Sequence, residues 1–252
     1  MRHGIYLLPN LLTTASLFAA FYAIVATMQG HIETAVIAIY SGMIADMLDG
    51  RIARLTHTQT AFGAEYDSLA DMVTFGVAPS LLAYQTYLHQ WGKSGWLVSF
   101  LYTAAVALRL ARFNTQVSHA DKRYFQGLPC PPAAGLIAAF IWLTYAYPPK
   151  FFTVILAMLM ILNSLLMVSQ IRYYSFKQVD FKNKVPFLYL LVLIILFIAI
   201  AAEPASVLLT GFLGFALSGP IQTLIQVQRM RQLRKKVLIK KKGLNRTQPL
   251  KP

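Results

Sequence analysis

Negative charge is scarce in this chain: its 252 residues carry nine Asp and Glu against 23 Lys and Arg, a formal charge of +14. Charge of either sign is thin, at 13% of residues, where a soluble globular domain carries about 25%. That excludes a surface built to face water on every side. Cysteine is nearly absent too. The single Cys130 excludes an internal disulfide framework, and its setting GLPCPP has no partner at metal-ligand spacing. It reads as a small apolar residue at the start of a helix. No repeat, linker or second domain divides the chain.

What fills the chain instead is apolar sequence, 57% of it. Eight long runs stand out: Leu11–Met28, Ala35–Leu48, Leu69–Leu88, Trp96–Leu110, Pro132–Tyr147, Phe152–Val168, Val185–Ala201 and Ala205–Val227. Most approach the ~20 residues that a helix needs to cross a bilayer. The second is short, but it extends from Glu33 to Arg54 if its polar end emerges into water. Hydrocarbon offers the backbone no partners, so such runs are expected to be helices. The expectation is an all-α polytopic membrane protein with about eight transmembrane helices over residues 1–228 and a basic tail over 229–252. The opening MRHGIYLLPNLLTT has the look of a signal peptide, but its apolar run is as long as a full span and no small-residue cleavage site follows. It is read as the first helix.

The basic residues give an orientation. With the N-terminus cytoplasmic, loops on the far side hold only Lys93 and Lys150. Cytoplasmic loops hold Arg51 and Arg54, then Arg112, Lys122 and Arg123, then Arg172, Lys177, Lys182 and Lys184. The tail from Arg229 to Lys251 adds ten more. This asymmetry follows the positive-inside rule, with both termini in the cytoplasm and, in a bacterium, the inner membrane as location. The tail suits anionic lipid headgroups, so no nucleic-acid partner is expected. Tyr and Trp near the helix ends read as interfacial anchors, and His57 and His119 as solvated loop residues.

Against this background the acidic residues cluster. Asp46, Asp49, Glu65, Asp67 and Asp71 are five of the nine, at the edges of two apolar runs. Asp46, Asp49, Gly50, Ala53 and Arg54 share one helix face, and Gly63, Asp67 and Asp71 share one face of the next. The short polar stretch LTHTQTAF reverses the chain between them, so four carboxylates can converge. Like charges and burial both disfavour ionised carboxylates, so a positive partner is required. Arg54 alone is not enough. Carboxylate oxygens suit Mg²⁺ or Mn²⁺, and a pair of such ions suits phosphoryl displacement. Small residues at Gly50, Ala53 and Gly63 let a ligand approach the backbone.

The pattern D-x2-D-G-x2-A-R-x8-G-x3-D-x3-D, filled at every position from Asp46 to Asp71, resembles that of the CDP-alcohol phosphatidyltransferase family. The resemblance implies an integral-membrane transferase with a six-helix core, generally a homodimer. Such an enzyme moves a phosphatidyl group from a CDP-linked lipid to an alcohol and releases CMP. It implies that Asp46, Asp49 and Asp67 are metal ligands, and that Asp71 is both ligand and general base. Gly50, Ala53, Arg54 and Gly63 would then line the CDP-lipid site, joined by Asn10 and Thr13 of PNLLTT.

Further segments resemble the phosphatidylserine synthase branch of that family: PNLLTT, DMVTFGVAPS, ALRLARFN, YFQGLPCPPAAG and MVSQIRYYSFK. That resemblance implies CDP-diacylglycerol and L-serine as substrates. Serine carries a carboxylate, and an arginine at membrane depth would hold it by bidentate pairing. Arg109 and Arg112 are the candidates; the bland alternative is that both snorkel to lipid phosphates. Sister transferases using glycerol phosphate, inositol phosphate or choline remain open. So do an intramembrane prenyltransferase, which would not need Gly50–Arg54, and a cation transporter, whose carboxylates would sit on broken helices near mid-membrane. The helices here read as unbroken apart from prolines at loop edges.

Overall fold

The computed structural model describes residues 7–56, 58, 60–116, 124–146, 151–174 and 187–246. His57, His119 and the loop cations Lys122, Arg123, Lys150, Lys177, Lys182 and Lys184 lie outside them. Helix α1 (Leu7–Met28) turns through Gly30, whose φ of 79° favours glycine, into α2 (Ile32–Leu55). The two pack closely because their facing residues are small: Ala20, Ala23, Ala35, Ala38 and Gly42. At Gly42 a Cβ would lie 3.3 Å from the Ser16 carbonyl, and the Ser16 hydroxyl donates to Gly42 O at 3.0 Å.

The third apolar run becomes α3 (Ala61–Asp71), a π-helical turn over Met72–Val77, and α4 (Ala78–Thr86). The expectation of an unbroken helix needs correcting here, and Pro79 supplies the reason. Proline has no N–H to donate four residues back to Phe75, and its ring crowds that carbonyl. The backbone widens just before the proline, and Tyr102 from α5 (Lys93–Gln116) donates its hydroxyl to Phe75 O at 3.0 Å.

Helices α6 (Cys130–Thr144) and α7 (Phe151–Val168) complete the part matching the six-helix expectation. Two strands of three residues are the departure from an all-helical chain. β1 (Tyr124–Gln126) pairs antiparallel with β2 (Arg172–Tyr174), with Phe125 opposite Tyr173. The ladder continues as Gly127 N to Ile171 O at 2.8 Å and Leu128 N to Leu166 O at 3.1 Å, binding the start of α6 to the end of α7.

Helix α8 (Phe187–Ala202) exposes a sleeve of Ile, Leu, Val and Phe, which suits hydrocarbon. α9 (Pro204–Arg246) runs through the expected boundary between membrane domain and tail at 228 without a break. It packs on α6 and on Tyr173, whose hydroxyl donates to Ala216 O at 3.0 Å. Among the described residues four helical stretches are long and apolar enough to cross a membrane: Leu8–Met28, Lys93–Thr115, Phe151–Val168 and Pro204–Ile225. The other expected runs also form apolar helices: α2 carries a charged end, the third run is divided by the π turn, and α6 and α8 span 15 and 16 described residues. The molecule is an all-α integral membrane protein.

The α6–α9 contact can be tested. A Cβ at Gly135 would stand 2.6 Å from the Phe212 ring, whereas one at Gly211 meets nothing within 4 Å. Gly135→Val is expected to cost about 1–3 kcal/mol through overpacking, lowering the thermal unfolding midpoint in detergent. Gly211→Ala should hold or raise it, since alanine favours helix by about 1 kcal/mol over glycine. Equal midpoints for the two variants would mean that α6 and α9 do not meet at Gly135.

Candidate active site

The site forms where α2 leaves the bundle and α3 enters it. Thr60 caps α3, its hydroxyl accepting from Gly63 N at 2.9 Å, and this sets the angle of the returning helix. A Cβ at Gly63 would lie 3.0 Å from that hydroxyl and 3.4 Å from Asn10 Oδ1, so only glycine fits without movement. With the two helices so joined, Asp46, Asp49 and Asp67 each bring a carboxylate oxygen within 4.8 Å of the others. Asp49 is buried; Asp46 and Asp67 are half-buried.

The carboxylates differ in their partners. Thr13 Oγ1 lies 2.6 Å from Asp49 Oδ2 and 3.1 Å from the Pro9 carbonyl. Its single proton belongs to the shorter bond, made to a charged acceptor. Asp71 lies outside the trio, close to Asp46. Among the described residues none of the four forms an ion pair with Lys or Arg. Three hard oxygen donors this close, without a cationic side chain on them, have the chemistry to hold a divalent metal ion.

A cavity of about 240 Å³ opens beside the cluster. Asn10 and Thr13 of α1 line it, with Gly50, Ala53 and Arg54 of α2 and Gly63 of α3. Asp49 and Asp67 form its wall toward the cluster. Gly50 is informative. A Cβ there would meet only Arg54 Nη1 at 3.5 Å, an ordinary contact, so packing does not demand glycine. The missing side chain enlarges the cavity and bares backbone to it. Thr58 and Thr60 also line the cavity; the sequence reading passed over both, although the cap preference of threonine before a helix pointed to Thr60.

The Cys130 thiol is buried at the start of α6. Arg109 Nη1 donates to that thiol at 3.3 Å. Cys130 thus does more than fill space, and nothing in its sequence setting signalled this. Arg112 is engaged elsewhere, donating to the Val168 carbonyl at 2.8 Å and so capping α7. The site residues expected from the sequence lie at this end of the bundle, and among them Arg112 is turned to a structural task.

The cavity and the cluster together use the eight positions of the pattern from Asp46 to Asp71. The family description "CDP-alcohol phosphatidyltransferase" matches residues 6–162. A Helicobacter pylori protein named CDP-diacylglycerol–serine O-phosphatidyltransferase is 39% identical over 219 residues, covering 84% of this chain and 89% of that one. A Bacillus subtilis protein of the same name is 36% identical over 171 residues, 68% of this chain and 92% of its own. One from Saccharomyces cerevisiae is 39% identical over 134 residues, 48% of each chain. The match runs through α1 to α7, the helices that build the carboxylate cluster and its flanks, so the chain belongs to the CDP-alcohol phosphatidyltransferase family.

Proposed function

We propose that this protein transfers the phosphatidyl group of CDP-diacylglycerol to the hydroxyl of L-serine and releases CMP. One observation carries the reading: three carboxylates close enough to share a metal ion border a cavity lined by the family pattern. Asp49 and Asp67 line that cavity, and outside its lining Arg109 is held on Cys130. The cavity suits the nucleotide diphosphate, with Arg54 beside the phosphates. The corner at Cys130 suits an acceptor bearing a carboxylate, with Arg109 as its cation.

In the reaction the serine hydroxyl oxygen attacks the lipid-bearing phosphorus. The new P–O bond forms as the bond to CMP breaks, and Asp71 takes the hydroxyl proton. Asp46, Asp49 and Asp67, with Asp71, are proposed to hold two divalent ions, Mg²⁺ or Mn²⁺. Bound there, such ions neutralise the diphosphate charge. Thr13 holds Asp49 in one rotamer through their 2.6 Å contact.

The distribution of basic residues supports a cytoplasmic site and cytoplasmic termini, with a membrane domain at 1–228 and a basic segment 229–252 toward anionic lipids. A homodimer is the expected assembly. Glycerol phosphate, inositol phosphate or choline as acceptor is the second reading. Choline is disfavoured because a cation gains nothing from Arg109. The serine transferases named among the relatives favour serine over the two phosphates. Family membership leaves the prenyltransferase and transporter readings without support.

Chelation tests the metal. Activity should vanish in excess EDTA and return with Mg²⁺ or Mn²⁺; full activity after extensive dialysis against chelator would exclude a metal role for the cluster. Asp71→Asn keeps the shape and one oxygen but cannot take the proton. Turnover should fall about 10²–10⁴-fold while CDP-lipid binding persists, and near-wild-type turnover would remove Asp71 from the chemistry. Arg109→Lys keeps the charge and loses the planar fork, so it should raise the serine KM with less effect on the CDP-lipid KM. Arg109→Ala should act more strongly along the same axis. An Arg109 that only anchors α5 to lipid phosphates would instead show lower stability with the serine KM unchanged.

A further inference from the structure

A buried donor without an acceptor is uncommon, because its lost hydration is not replaced. Among the described residues two buried side-chain atoms are in this state: Arg109 Nε and Asn163 Nδ2. Both are donors, and they stand on neighbouring helices, α5 and α7. Asn163 is 2% exposed, and the mechanism above makes no use of it.

Backbone geometry brings the two to one level. Arg112 on Val168 O joins the ends of α5 and α7, and the helices pack along each other, so they run parallel. Counting back from that joint, Arg109 is three residues up α5 and Asn163 five residues up α7. At ~1.5 Å per residue both stand within about two helical turns of that joint. The start of α6 gives a second measure. Leu128 N bonds Leu166 O, so moving on to Cys130 and back to Asn163 are both steps into the bundle. Arg109 reaches Cys130, and Asn163 shares the buried face of α7 with Met160 and Met167. The register therefore sets Arg109, Cys130 and Asn163 at similar depth where α5, α6 and α7 converge.

Cys130 occupies the Nη1 end of Arg109, leaving the Nε edge, which is the edge that pairs side-on with a carboxylate. Two donors from two helices call for a ligand group that only accepts and offers two oxygens. A carboxylate meets that description; a hydroxyl meets it poorly and an ammonium not at all. We infer that Asn163 Nδ2 and the Nε edge of Arg109 together clasp the carboxylate of the acceptor alcohol, which makes Asn163 a residue that selects the acceptor. The inference rests on serine being that acceptor.

The test uses the full chain in detergent with CDP-diacylglycerol and two acceptors, L-serine and serinol. Serinol keeps the hydroxyl and amine of serine and replaces its carboxylate with hydroxymethyl. Asn163→Leu removes the donor, and Asn163→Asp keeps the shape while setting a carboxylate against the ligand's own. Each variant should lower kcat/KM for serine by about tenfold or more, through KM, and change that for serinol by less than about threefold. Asn163→Asp keeps the comparison readable if the leucine variant does not fold. An unchanged serine KM in both variants, or equal losses with both acceptors, overturns the clasp while leaving serine as substrate. A wild-type protein that makes lipid from another alcohol and none from serine would instead overturn the proposed function.

Discussion

Repulsion among carboxylates at the rim of a hydrocarbon layer is the constraint on which the rest of the site depends. Four acidic side chains meet where water is sparse, and like charges there disfavour one another more strongly than in bulk water. The protein answers by rigidity. The close packing of α1 on α2 through alanines and Gly42 fixes one face of the cluster. The Thr60 cap and the glycine at 63 fix the other. Thr13 spends its one proton on the most buried member, Asp49. What remains is a demand for cationic charge from outside the chain, which a divalent metal ion would meet.

The corner around Arg109 is assembled differently. No local motif builds it; it forms from the ends of three helices that are distant in sequence. The β1–β2 ladder, the Leu128–Leu166 bond and the Arg112 cap on Val168 lash α5, α6 and α7 together at one level. The carboxylate hairpin and the Arg109 corner thus come from different stretches of the chain, joined across the bundle by bonds such as Ser68 to Asn114 and Tyr102 to the Phe75 carbonyl.

This division explains how much was legible in the sequence. Asp46 to Asp71 lie in one hairpin, so helical periodicity alone brought the carboxylates together and the glycines beside them. The apolar runs foretold the helices because a bilayer leaves the backbone no other option. Arg109 was found from its depth in the membrane. Its partner Cys130, the orphaned Asn163 and the capping task of Arg112 were not legible, since each depends on contacts between residues 21 to 56 positions apart or on a contact that is missing. The π turn escaped as well. Its cause, Pro79, was visible, but a proline inside an apolar run announces a disturbance without saying how the backbone will absorb it.

That wide turn has a consequence for descent. A π turn is an α-helix holding one residue too many, and one residue is worth about 100° of rotation. Placed at Met72–Val77, it uncouples the azimuth of Asp67 and Asp71 from that of α4, whose Ala78, Leu82 and Ala83 are locked in the core. A lineage could therefore re-aim its carboxylates by gaining or losing one residue there, with the hydrophobic seat of α4 undisturbed. The third helix carries its own adjustable joint, set by length and not by side-chain chemistry.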